Sequence, residues 1–171
     1  MKKRILFVIV LAMVALVVIT APASATRPTD VSGKIGFAGP PTNLVMQTSG
    51  KNCIIDVDVI YAFYDGDLNG TAPVHLRVVS HGPCPVEQFQ YNENLHASGT
   101  FVGEVDGKTG TFDFKYVGKG WPAEPSELAL TAKIVVLSGT GELENLHGVF
   151  DVSYIMGDEF DSFSGQIHFD P

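Results

Sequence analysis

Two cysteines, five histidines and a few acidic clusters are the residues of this chain from which chemistry would have to be built. Asp65-x-Asp67-x-Asn69-Gly70 matches the opening half of a calcium loop, in which alternating oxygens converge on one cation. The twelfth position of such a loop would be Leu76, which has no oxygen to offer, so a turn is the expected role. Asp158, Glu159 and Asp161 crowd beside Gly157, where charges in a loop stay solvated. His75, His81, His96, His147 and His168 show neither His-x-His nor His-x-x-x-His spacing, and two cysteines cannot complete a zinc site. Ser138-Gly139-Thr140-Gly141 suggests a phosphate loop, but Glu144 stands where the third glycine is required and no Lys-Ser or Lys-Thr follows. These glycines are expected to let a strand bend or a second backbone approach. There is no Gly-x-Ser-x-Gly elbow and no His-Glu-x-x-His, so neither a cofactor nor a metal is expected.

The elements that carry these residues begin after a leader. Met1-Lys2-Lys3-Arg4, the apolar run Ile5 to Ile19 and the small-residue site Ala23-Ser24-Ala25 read as a secretory signal peptide over residues 1–25. The apolar run is shorter than the ~20 residues a membrane helix needs. Residues 26–171 are then one exported domain, secreted or periplasmic, with no membrane association after cleavage. Loss of Lys2, Lys3 and Arg4 takes the 11 basic residues to eight against 19 acids, a net charge of −11 (8 − 19). Such a surface repels phosphate backbones and excludes nucleic acid as a partner.

Period-two alternation dominates the mature chain. Ile55, Val57, Val59, Tyr61 and Phe63 alternate with Asp56 and Asp58, and Val74, Leu76 and Val78 alternate with His75 and Arg77. Partner numbers summing to 133 set Val57 against Leu76 and, on the other face, Asp56 against Arg77 and Asp58 against His75. Apolar residues then meet apolar ones and acids meet bases, which fixes one hairpin register. Asp106-Gly107 predicts a second hairpin through a two-residue turn, pairing Phe101 with Phe112 and Gly99 with Phe114. Phe101, Phe112, Phe114 and Tyr116 share one face of it, and Glu104 lies on the other. Further strands are predicted over about Leu128 to Leu137, Val149 to Ile155 and Phe163 to Phe169, with Gly118 to Ser126 as a loop and no helix of ordinary length after Ala25. The register brings Cys53 and Cys84 to the same end of the first hairpin, and an exported chain meets oxidants, so a disulfide is expected rather than a reactive thiol.

Ser138-Gly139-Thr140-Gly141-Glu142-Leu143-Glu144-Asn145-Leu146-His147-Gly148-Val149, after the apolar Val135 and Val136, resembles the signature of allene oxide cyclase-like and dirigent-like barrels. Together with Tyr64-Asp65-Gly66-Asp67-Leu68-x-Gly70 and Phe101-x-Gly103-x-x-x-Gly107-x-x-Gly110-x-Phe112, it is most similar to a bacterial domain family of unknown function. The resemblance spans about Ile55 to Phe169 and implies an all-β fold, a single antiparallel barrel of about eight strands. It assigns no catalytic residue.

Three functions are compatible with these residues. In the leading one, some of Tyr61, Phe63, Phe101, Phe112, Phe114 and Tyr116 line a lumen that binds a small apolar or aromatic ligand without catalysis. An eight-stranded barrel is equally able to be filled by its own side chains. The others are a cofactor-free isomerase or cyclase, marked by a buried, shifted carboxyl or a histidine with a polar partner in the lumen, and a ligand-free structural protein. The resemblance makes a homo-oligomer, a trimer in particular, compatible with the last.

Overall fold

Alternating apolar residues bounded by Gly, Asn and Asp form nine antiparallel strands in the computed structural model, which describes residues 27–85, 90–124, 127–155 and 161–170. They are β1 (Thr29–Phe37), β2 (Thr42–Ser49), β3 (Asn52–Tyr64), β4 (Leu68–Ser80), β5 (Glu93–Val105), β6 (Lys108–Glu124), β7 (Glu127–Gly141), β8 (Leu146–Ile155) and β9 (Asp161–Phe169). From β3 to β9 each strand pairs with the next in sequence, and β1 bridges β9 and β3, closing eight strands into a ring. Closure pairs both sides of these eight strands, removing most of the edge on which sheets aggregate. β2 continues along β3 where β1 stops, and no second neighbour pairs with it among the described residues. The leader, Asp158 and Glu159 lie outside the described residues.

Both hairpin registers are as the side-chain pattern predicts. Ile55 opposes Val78, Val57 opposes Leu76, Asp56 opposes Arg77 and Asp58 opposes His75. Phe101 opposes Phe112 and Gly99 opposes Phe114, through a turn in which Asp106 and Gly107 both take positive φ, 49° and 78°. Two consecutive left-handed residues match the right-handed twist of the flanking strands, which is why Asp-Gly sits there. The expected Cys53–Cys84 disulfide is present, with Cα atoms 5.1 Å apart.

One expectation needs correction. Gly118 to Glu124 is strand and not loop, because β6 runs on to Glu124, with Gly118 opposing Leu95 and Ala132 and Gly120 opposing Glu93 and Leu130; Pro125 and Ser126 lie outside the described residues. Gly, Pro and Lys resemble turn residues in isolation, but two flanking strands supply the pairing that local preference lacks. β1 and β2, which the pattern did not predict, close the ring and flank its seam.

The Ser138–Gly141 segment ends β7 and turns into β8. A side chain on Gly139 would collide with the Leu143 carbonyl oxygen, so the turn depends on backbone approach as expected. Glu142 ties this turn to β6 by accepting bonds from Thr109 N and Thr109 Oγ1, both 2.8 Å. The backbone bond first, then the hydroxyl, and more weakly Lys108 hold its carboxyl below the ordinary 4.5. A carboxyl depressed in the folded state stabilises above its unfolded pKa, and that contribution is lost as pH falls through the folded value. Glu142→Gln, lacking the charge, should therefore show a smaller fall in melting temperature than the parent between about pH 6 and about pH 3. An equal fall in both proteins would show that the carboxylate does not hold the turn.

Candidate ligand-binding site

The barrel interior is divided by side-chain size. Towards the end carrying the 65–67 and 106–107 turns, Phe63, Phe101, Phe112, Phe114, Phe150 and Phe163 pack together. Ring centroids are 4.6 Å apart for Phe101 and Phe112, and 5.4 Å apart edge to face for Phe63 and Phe101. Phe101 has no exposed surface. This half is a plug, and four of the six residues expected to line a lumen, Phe63, Phe101, Phe112 and Phe114, are part of it.

Towards the disulfide end no phenylalanine points inward among the described residues, and the inward positions are aliphatic: Val57, Val74, Val78, Ala97 and Ala132 with Leu76, Leu95 and Leu130, and Gly99 and Gly118 between them. Tyr61 and Tyr116, the other two expected residues, stand at the boundary with ring centroids 6.5 Å apart. Both phenols are held far above the ordinary range, first by burial. After burial, Asp161 and then Tyr154 oppose ionisation at Tyr61, and Tyr61 and then Asp161 oppose it at Tyr116. Neutral buried phenols are hydrogen-bond donors at any working pH.

The wall beside this half has a seam. Among the described residues the β1–β9 pairing ends at Ile35–Asp161, and β2 continues on β3 alone. Phe37 pairs with Tyr61 and stacks on it at 5.1 Å, yet is 58% exposed. Met46, opposite the inward-facing Ile55, is likewise exposed. Phe37 thus covers the Tyr61 ring, and Met46 lies farther along β3 towards the disulfide end.

Sequence reasoning placed Asp161 in a solvated loop and did not single out Glu93 or Ser80. Asp161 is the first residue of β9, half-buried beside the tyrosines and not a solvated loop residue, a position its spacing of two from the inward Phe163 could have given. Glu93, two residues from the inward Leu95, is half-buried, and burial raises its carboxyl above the ordinary range. It opposes Ser80, whose fully buried hydroxyl has no partner among the described residues. Glu104 is exposed on the outer wall, as its face predicts.

The remaining polar residues are engaged on the exterior. Asp67 accepts a bond from Ser32 N at 2.7 Å and Asp65 one from Lys34 Nζ at 3.1 Å, so the aspartates of the 65–67 turn tie it to β1. His147 and His168 stack at 5.1 Å and face Asp170. Among the described residues no group of three or more His, Cys, Asp or Glu is arranged to hold a metal ion.

A family model described as a protein of unknown function, DUF3224, matches residues 43–163. The fold is similar to the crystal structure of a protein of unknown function from the DUF3224 family of Shewanella oneidensis MR-1, at TM-score 0.60 and 19% identity, covering 85% of this chain and 100% of the other. That likeness concerns the fold alone. No curated protein matches the chain.

Proposed function

The chain belongs to the DUF3224 family of proteins of unknown function, and from that premise we propose that its barrel binds a small, largely apolar molecule in the half-lumen below Tyr61 and Tyr116. The observation that carries the reading is the change in lining, from packed phenylalanines to smaller aliphatic side chains (Val, Leu and Ala) and Gly beneath neutral phenol donors. An apolar cleft with a few convergent polar groups in a barrel mouth is a common form of ligand site. The ligand has an apolar body and one hydrogen-bond acceptor, and enters past Phe37. The closed eight-stranded ring supports kinship with allene oxide cyclase-like and dirigent-like barrels. The disulfide supports an exported protein working outside the cytoplasm.

Native mass spectrometry of the gently purified domain tests the reading. An adduct of a few hundred daltons is expected on the parent, and Ala97→Phe, which fills the lumen, should lose it while remaining folded. Tyr116→Phe should weaken retention roughly three- to tenfold by deleting one hydrogen bond. A bare mass for the parent, unchanged by incubation with long-chain alcohols, would favour a ligand-free structural role. Glu93 gives a cofactor-free isomerase its one specific support, since a desolvated carboxyl suits proton transfer. Under that reading, Glu93→Gln should retain the adduct and stop its chemical conversion.

A further inference from the structure

One groove on the outer wall is lined without a carboxylate. The outward residues of β4, β5 and β6 fall in two adjoining rows, His75, Ser98 and Lys115 in one and Arg77, His96 and Val117 in the next. Strands lie about 4.8 Å apart and alternate residues about 6.7 Å apart along a strand, so these six side chains border one patch. They line a groove of about 460 Å³.

No carboxylate lines this groove, although Asp and Glu outnumber Lys and Arg 19 to 11 in the chain. Other grooves on the wall include Asp58 or Asp151. Asp56 and Asp58 stand one strand away on β3, where they fix the groove's edge. Asp56 takes Arg77 Nε at 2.7 Å and Nη2 at 2.9 Å, and Asp58 meets His75 Nδ1 at 2.8 Å. A guanidinium has five N–H donors, so Arg77 is oriented with donors to spare. His96 and Lys115 are exposed and have neither a hydrogen-bond nor an ion-pair partner among the described residues.

We infer that this groove is a binding site for a small organic oxyanion, a carboxylate or phosphate ester whose charged group sits between His96 and Lys115 and whose apolar part lies on Val117. Donors without acceptors, in a chain otherwise negative, leave an anion as the complement. The same net negative charge repels a long polyanion beyond the groove. The site lies on the opposite face of the sheet from the lumen and does not depend on the lumen being occupied.

The test is a titration at low ionic strength with phenyl phosphate, benzoate and inorganic phosphate, followed by NMR of the histidine rings and backbone amides. Saturable shifts are expected at His96 and Lys115, with phenyl phosphate or benzoate binding more tightly than inorganic phosphate. The tighter of the two organic anions identifies the head group. Lys115→Gln should weaken binding about tenfold, the effect of one charge-assisted hydrogen bond, while Lys51→Gln, in the β2–β3 turn, should leave it unchanged. Shifts that do not saturate, or equal losses in the two variants, would reduce the effect to net charge and overturn the site. Equal affinities for all three anions would overturn its organic component.

Discussion

Phe112→Asp is expected to abolish folding. Phe112 is 1% exposed, stacks on Phe101 at 4.6 Å and meets Phe114 edge to face at 6.0 Å, in the middle of the aromatic plug. Truncating a buried phenylalanine costs about 3–5 kcal/mol. A carboxylate at the same point adds a desolvation cost, and no cation is among its ring contacts. The sum approaches the whole stability of an ordinary domain, about 5–15 kcal/mol. The variant should yield no cooperative melt by circular dichroism, whereas Phe112→Leu should stay folded with a loss of about 1 kcal/mol. Val102→Asp, opposite Thr111 on the outer face of the same hairpin, should cost about 1 kcal/mol or less. A folded Phe112→Asp beside an unfolded Val102→Asp would mean that the two faces have been reversed.

How far the fold was legible follows from the range of the forces involved. The β3–β4 and β5–β6 hairpins are local: a turn and a period-two pattern fix their register, and one wrong step would drive Asp56, Asp58 and Asp113 inward. β6 beyond Tyr116 was not legible, because Gly118-Lys119-Gly120-Trp121-Pro122 has little strand preference and is held by β5 and β7. β1 and β2 were missed for a related reason. The partners of β1 on β3 and β9 are distant in sequence, and β2, although next to β3 in sequence, is exposed and has no buried face to impose alternation.

The candidate site was half legible. The inward aromatics were correctly placed on one face, but whether they line a cavity or fill it depends on how rings from β3, β5, β6, β8 and β9 meet, which no single strand encodes. Asp161 and Glu93 were obscured by composition. A carboxylate at a strand end looks like a solvated turn residue until closure of the barrel buries it beside Tyr61 or opposite Ser80. The charged groove on the outer wall was obscured differently, since His75, Arg77, His96 and Lys115 come from three strands and become neighbours only through the register.

Reduction of the Cys53–Cys84 bond should lower the melting temperature by about 10 °C without changing the fold. The bond joins residues 31 apart and spans the β3–β4 hairpin from its open end, opposite the 65–67 turn. In the chain-entropy description a loop of this length restricts the unfolded chain by about 3.5 kcal/mol. For a domain of this size each kcal/mol moves the melting temperature by about 2–4 °C. The eleven ladder pairs from Cys53–Ser80 to Phe63–Gly70 remain after reduction, so the hairpin keeps its register. Cys53→Ser, melted with and without reductant, separates the covalent constraint from packing of the fully buried Cys53 side chain. The parent should lose about 10 °C on adding reductant and the variant nothing, with the variant close to the reduced parent. A variant well below the reduced parent would assign the loss to packing around the serine, and a parent indifferent to reductant would remove the bond from the stability of the barrel.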